Sequence, residues 1–175
     1  MTTEYDVAIF GGGPAGSLTA CLLAKQCPEL RICIIEKSTF PRHHIGESTL
    51  PAWSRVLKRA GVLELLDQNT IIKKGGVVFN WGPEEAGESW TVDFREVQTG
   101  RPAIGSWFIN REVFDNIILQ HAKKLGTTVL QGTTVEKVIP QIEEEHWTGQ
   151  ETAEHFTIHT SDSEKIIAKQ VVDAT

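Results

Sequence analysis

Gly11, Gly13 and Gly16 follow the pattern G-x-G-x-x-G within GGGPAGS, and an acid, Glu36, stands twenty positions beyond the last of them. The first glycine of such a pattern permits a tight strand-to-helix turn, the second lets backbone N–H groups approach a pyrophosphate, and the third lets helix and strand pack closely. The helix N-terminus adds partial positive charge for the phosphates. An acid at that distance accepts hydrogen bonds from ribose hydroxyls and disfavours a 2′-phosphate. No Gly-Lys-Ser/Thr follows the glycines, which excludes a P-loop. A second set of reactive groups lies in IIKKGGVVFNWG, residues 71 to 82, where Lys73 and Lys74 interrupt an apolar, strand-like run against a glycine pair. Such lysines either guard a solvated strand edge or supply an amine, whose neutral fraction burial can raise. His43 and His44 are adjacent, so their side chains diverge, and no carboxylate or cysteine cluster matches them; no metal site is expected.

The elements needed to position these groups are legible around them. YDVAIF (Tyr5 to Phe10) reads as a strand buried on both faces, and the helix after it carries Ala15, Leu18, Cys21 and Leu22 at helical spacing. RICIIE (Arg31 to Glu36) is a second buried strand. STFPRHHIGESTLP (Ser38 to Pro51) is an irregular, proline-bounded loop before an amphipathic helix with Trp53, Val56, Leu57 and Ala60 on one face, closed by Gly61. A plain NAD-binding unit would continue to another helix and a third parallel strand. A large insertion before VVDAT (Val171 to Thr175), read as a late strand returning to the nucleotide sheet, favours FAD.

Residues 111 to 125 read as a helix with Phe114, Ile117, Ile118, Ala122 and Leu125 at core spacing, Asn110 as N-cap and Gly126 as its stop. Arg111 in the first turn opposes the macrodipole, so another group is expected to recruit it, and Asp115, four residues on, can pair with it as on an ordinary helix surface. TTVLQG and TTVEKVI read as strands broken near Gly132, and EHFTIHT and KIIAKQVVDA as a hairpin around Ser161 to Ser163. Glu143 to Glu151 is expected to be a solvated turn. Counting alternate residues through 71 to 82 puts Lys74 with Gly76, Val78 and Asn80, and Lys73 with Gly75, Val77, Phe79 and Trp81.

The expected fold is therefore α/β: a Rossmann-like FAD-binding domain with a parallel sheet, interrupted by an insertion carrying part of a substrate-side β-sheet. Residues 1–37 and about 110–175 would form the nucleotide-binding core, and about 38–109 the insertion. The formal net charge of −6 and the absence of a basic patch argue against nucleic acid or an anionic membrane surface. No apolar run is long enough to span a bilayer. Cys21, Cys27 and Cys33 are odd in number and lack CxxC pairing, as expected of reduced thiols in a cytoplasmic protein. The run VVDAT stops inside an apolar pattern, so the chain is expected to be an N-terminal, truncated piece of a longer protein.

At GGGPAGS, Glu36 and especially HIGESTLP (His44 to Pro51), the chain resembles the flavin-dependent halogenases of the wider FAD monooxygenase superfamily. It looks most like those acting on pyrrolic or phenolic rings, some of which take carrier-tethered substrates. KGGVVFNWG, INREVFDNIILQHAKKLG and VVDAT also match, so the resemblance spans nearly the whole chain. GGGPAG and VVDAT are shared by many FAD enzymes, whereas the Gly-Glu-Ser element combined with the lysine element is more selective.

The resemblance implies FAD, supplied reduced by a separate flavin reductase, with oxygen and chloride or bromide as co-substrates. It implies FAD contacts from Gly11, Gly13, Pro14, Ala15, Gly16, Glu36, Lys37, Arg42, Gly46, Glu47, Ser48 and Arg111. Lysine, any residue, then glycine before an aromatic strand is the family's pattern, which matches Lys74 as the catalytic amine, with Lys73 as the alternative. That amine would hold hypohalous acid, or capture it as a haloamine, and direct the halogen to an aromatic carbon in natural-product (antibiotic) biosynthesis. Two other readings stay open: an FAD hydroxylase or related oxidoreductase without halide, and a non-catalytic flavin-binding fragment. The second draws weight from the family's Trp-x-Trp-x-Ile-Pro element, which this sequence lacks, and the fragment alone is expected to be inactive.

Overall fold

Three apolar runs far apart in sequence pair side by side. In the computed structural model, which describes residues 2–67, 70–83, 87–94, 106–141 and 153–175, β1 (Thr2–Phe10) lies between β2 (Ile32–Glu36) and β10 (Lys165–Asp173) and runs parallel to both. β7 (Thr128–Gln131) adds a fourth parallel strand beside β2. β9 (His155–Thr160) and β8 (Val135–Gln141) extend the other side antiparallel, giving the order β7-β2-β1-β10-β9-β8. The hairpin expected around Ser161 to Ser163 joins β9 to β10, with Ser163 at φ 63°. The strands either side of Gly132 (φ +74°) do not pair: they sit at opposite edges of the sheet. The turn expected at Glu143 to Glu151 lies outside the described residues.

All five residues of β2 are buried, as a strand covered on both faces requires. Ala8, Cys33, Ile35, Ile158, Ile166 and Ala168 form the core of one face, with Tyr5, Leu130 and Val138 packed against it. α1 (Pro14–Gln26) begins with proline at its first position, where the missing N–H costs nothing, and buries Leu18, Ala20 and Cys21. Cys21 Sγ lies 3.9 Å from the carbonyl of Ile118 in α3 (Arg111–Lys124), whose Ile118, Leu119 and Ala122 are also buried. Each buried aliphatic side chain contributes about 1.5–3 kcal/mol. Asn110 caps α3: its Oδ1 accepts the N–H groups of Glu112 (3.1 Å) and Val113 (3.4 Å).

Two compact units make up the chain, Met1–His43 with Asp115–Thr175, and His44–Phe114. The second unit holds α2 (Trp53–Ala60), stopped by left-handed Gly61, and two small antiparallel sheets. Here the apolar run 71 to 82 departs from the single strand expected. β3 (Ile71–Lys74) pairs with β6 (Ser106–Ile109), whereas β4 (Gly76–Trp81) pairs with β5 (Glu88–Asp93). A Cβ on Gly76 would stand 2.4 Å from the Val92 carbonyl oxygen, so only glycine admits β5 there, and the chain changes partners at Gly75. The face count taken through Gly75 therefore fails, and Lys74 belongs to a different sheet from Val78 and Asn80. Among the described residues, no helix is long and apolar enough to cross a membrane.

Candidate functional site

The glycine turn is built as its spacing demands. Gly11 adopts φ +99°, and a Cβ there would lie 2.7 Å from the Ala174 carbonyl oxygen. A Cβ on Gly16 would come within 2.0 Å of the Gly11 carbonyl oxygen, so α1 can pack on β1 only without one. Gly13 is different. Its Cβ would meet only Arg42 Nη2, at 3.7 Å, so no atom of the fold demands glycine there. Pro14 is half-buried and Ala15 exposed at the start of the helix.

Glu36 is buried at the end of β2, and its carboxylate is aimed back at the turn. Oε2 accepts the N–H of Gly12 at 2.6 Å and Oε1 the N–H of Ser38 at 2.8 Å. Gly12, outside the spaced glycine pattern, thus ties the turn to Glu36 through its backbone N–H. Arg42 Nε lies 4.0 Å from Glu36 Oε1, its guanidinium stacks over Phe40 at 4.8 Å, and Nε is buried without a hydrogen-bond partner among the described residues. A buried donor left open beside a glycine turn is a group waiting for an acceptor. Lys37 is exposed directly after Glu36. Asp173, opposite Phe10 in register, has its carboxyl held below the ordinary range by the backbone N–H and then the hydroxyl of Thr175.

In the second unit, residues 47 to 49 lie alongside β6 as a third extended segment. Thr49 N–H donates to the Trp107 carbonyl (2.9 Å), Ile109 N–H to the Glu47 carbonyl (2.8 Å), and Ser48 forms an antiparallel bridge with Phe108. Arg111 Nη1 donates to the Ile45 carbonyl at 2.8 Å, and a Cβ on Gly46 (φ +92°) would lie 3.2 Å from that nitrogen. The arginine in the first turn of α3 thus donates to the loop backbone. Glu47 lines a shallow cavity of about 220 Å³ with Thr70, Ile72, Phe108 and Asn110.

Lys74 projects toward this loop. Its Nζ donates to Ser48 Oγ at 2.6 Å and lies 5.1 Å from the ring centre of Phe94 and 5.7 Å from that of Phe108. Lys73, one residue earlier, is exposed, and Lys74 is partly buried. The two aromatic rings were not marked by any sequence motif; their approach depends on the β3–β6 pairing and the return of residue 94 to Gly75.

Residues 6–105 match the model of a family described as tryptophan halogenase. The tryptophan 2-halogenase of Chondromyces crocatus is 33% identical over 138 residues, 79% of this chain and 24% of that protein. The 1H-pyrrole-2-carbonyl-[peptidyl-carrier protein] chlorinase of Pseudomonas fluorescens is 36% identical over 148 residues, 77% of this chain and 32% of that protein. Among solved structures, the myxobacterial chondrochloren halogenase, a variant of FAD-dependent halogenases, superposes with a TM-score of 0.75 at 28% identity, over 99% of this chain and 37% of that one. The chain thus spans about a quarter to a third of the length of the curated relatives it matches.

Proposed function

The chain belongs to the tryptophan halogenase family, and from that membership we propose that the protein halogenates an aromatic ring with reduced FAD, oxygen and chloride or bromide. One observation carries this reading: the lysine element and the Gly-Glu-Ser element, the two most selective pieces of the sequence, meet at the 2.6 Å contact between Lys74 and Ser48. A hydroxylase using the same cradle has no need of an amine beside that loop.

The residues present fit a dinucleotide. Gly13 leaves room that no atom of the fold occupies, and the open Nε of Arg42 offers a donor beside it. Gly11, Gly13 and Gly16 with the first residues of α1, Pro14 and Ala15, would face the pyrophosphate. Glu36 would take the ribose, and Lys37 and Arg42 would add positive charge. Gly46, Glu47, Ser48 and Arg111 would stand on the isoalloxazine side. The bound reduced flavin together with oxygen would supply the oxidising power that turns halide into hypohalous acid. Lys74 would hold that small molecule by a hydrogen bond; the halogen passes to an aromatic carbon, the ring gives up a proton, and water leaves.

A pyrrolic or phenolic ring is the substrate class, and the carrier-bound pyrrole taken by the Pseudomonas fluorescens relative supports a carrier-tethered one. A separate reductase would deliver the flavin, and the reaction would serve natural-product biosynthesis. Three free cysteines support a reducing, cytoplasmic setting. The decisive experiment is a bromide reaction of the full-length protein with a flavin reductase and pyrrolic or phenolic substrates, free and carrier-bound. Brominated product is expected; hydroxylated product with no brominated product overturns the reading.

A further inference from the structure

We propose that Ser48 is the positioning residue of the Lys74 amine, and that its hydroxyl, with the rings of Phe94 and Phe108, sets the direction in which Nζ points. The proposal rests on the reading of Lys74 as the halogen-directing group, and it gives Ser48 a task separate from any contact with flavin. A lysine stem is long and rotatable, so an amine that must direct a reactive species gains from being held. Here the ammonium has four neighbours: one hydroxyl, one carbonyl and two rings. Ser48 Oγ accepts one N–H at 2.6 Å, and Phe94 and Phe108 present rings at 5.1 and 5.7 Å, within the range of cation–π attraction. The Thr49 carbonyl lies further off, at 3.5 Å.

Ser48 is itself well placed to hold its neighbour. Thr49 makes three bonds with Trp107: its N–H (2.9 Å) and its hydroxyl (3.0 Å) donate to the Trp107 carbonyl, and Oγ1 accepts the Trp107 N–H at 2.9 Å. Ser106 Oγ donates to the Thr49 carbonyl at 2.6 Å. Ser106 is also the register partner of Lys74 across β3 and β6. Three extended segments therefore fix the separation of the two side chains, and the hydroxyl needs no ordering of its own backbone. An ammonium has three N–H donors, so the bond to Ser48 leaves others for a reacting molecule.

The test is reductive methylation of the flavin-free, full-length protein with formaldehyde and cyanoborohydride, with each lysine read by mass spectrometry. Lys73, exposed and adjacent, is the internal standard. In the wild-type protein Lys74 is expected to react about threefold to fivefold more slowly than Lys73, the effect of a hydrogen bond to a charged group discounted for solvent. Ser48→Ala is expected to abolish that difference, and Ser48→Thr, which keeps the hydroxyl, to restore it. Equal rates at the two lysines in the wild-type protein, or an undiminished contrast in Ser48→Ala, would overturn the proposal, including where Ser48→Ala lowers flavin affinity. With the reductase and bromide, Ser48→Ala is expected to yield less brominated product per flavin reoxidised, and Ser48→Thr to recover it. A wild-type protein that brominates nothing sinks the functional reading alone, since the labelling contrast would still assign Ser48 to the amine.

Discussion

The carboxylate of Glu36 accepts the N–H of Gly12 at 2.6 Å, joining the turn after β1 to the end of β2 across 24 residues of chain. With the second bond to Ser38, one buried side chain ties the glycine turn to the segment that leaves β2. Glu36→Ala strands two N–H donors, and since a hydrogen bond to a charged group is worth about 1.5–3 kcal/mol, a loss of about 2–4 kcal/mol in unfolding free energy is expected. Flavin binding should fall with it. Glu36→Gln, which keeps one acceptor, should fall between; denaturant midpoints and flavin fluorescence titration read both effects.

Gly16 and Gly13 should separate folding from binding. The 2.0 Å approach to the Gly11 carbonyl oxygen involves backbone on both sides and cannot be relieved by a rotamer. Gly16→Ala is expected to cost about 3 kcal/mol or more, the upper end of overpacking. Gly13→Ala should hold its unfolding midpoint to within about 1 kcal/mol, because its Cβ meets only Arg42 Nη2 at 3.7 Å. It should weaken flavin by about tenfold or more, as the methyl occupies the pyrophosphate's approach. Equal loss of stability in the two variants would show that Gly13 is structural.

Lys74→Ala and Lys73→Ala should differ sharply although the residues are adjacent. With the reductase and bromide, Lys74→Ala is expected to lower brominated product by about a hundredfold or more, the scale of removing one group from the reacting centre, while flavin reoxidation proceeds. Lys73→Ala, exposed on β3, should leave product formation within about twofold of the wild-type protein. A Lys74→Ala protein that brominates normally would remove the lysine from the reaction.

The three cysteines should react unequally. Burial pushes the Cys33 thiol up to about 12 and the Cys21 thiol up to about 11, while Cys27 is half-buried. Iodoacetamide at pH 8 is expected to label Cys27 alone until the protein unfolds, as thiolate is the reactive form. The same shifts predict the alkaline limb of stability. Unfolded thiols ionise near 9.0 while the folded pair keep their protons, so the free energy of unfolding falls, and stability is lost, as pH rises from about 9 toward 12. Cys33→Ala should flatten that limb in pH-dependent denaturation.

The parts of this molecule legible in sequence are those whose cause is local. The glycine turn, the Asn110 cap, the Gly61 and Gly126 stops and the Ser161 to Ser163 hairpin each follow from a residue type that only certain dihedrals or hydrogen bonds suit. Misread elements depend on partners far along the chain. Nothing within residues 71 to 82 says that β3 will find β6 and β4 will find β5; the tight contact of Gly76 with Val92 decides it. Likewise Gly132 marks a break, but not that β7 and β8 go to opposite edges of the sheet. Within the candidate site, Glu36 and the glycines were legible by spacing. The cage of Phe94, Phe108 and Ser48 around Lys74 was not, because it is assembled by strand pairing.

The placement of β10 beside β1 sets an order of events during translation. A ribosome completes the glycine turn early, yet the strand that closes its open edge, up to the partner of Phe10 at Asp173, is synthesised roughly 8–30 s later. Until then β1 presents unpaired backbone groups on one side, and the long loop must still be closed. The nascent chain passes through an interval in which its glycine turn lacks a flanking strand and its sheet edge is open to other chains. Slowing translation between β1 and Asp173 lengthens that interval and should lower recovery of folded protein.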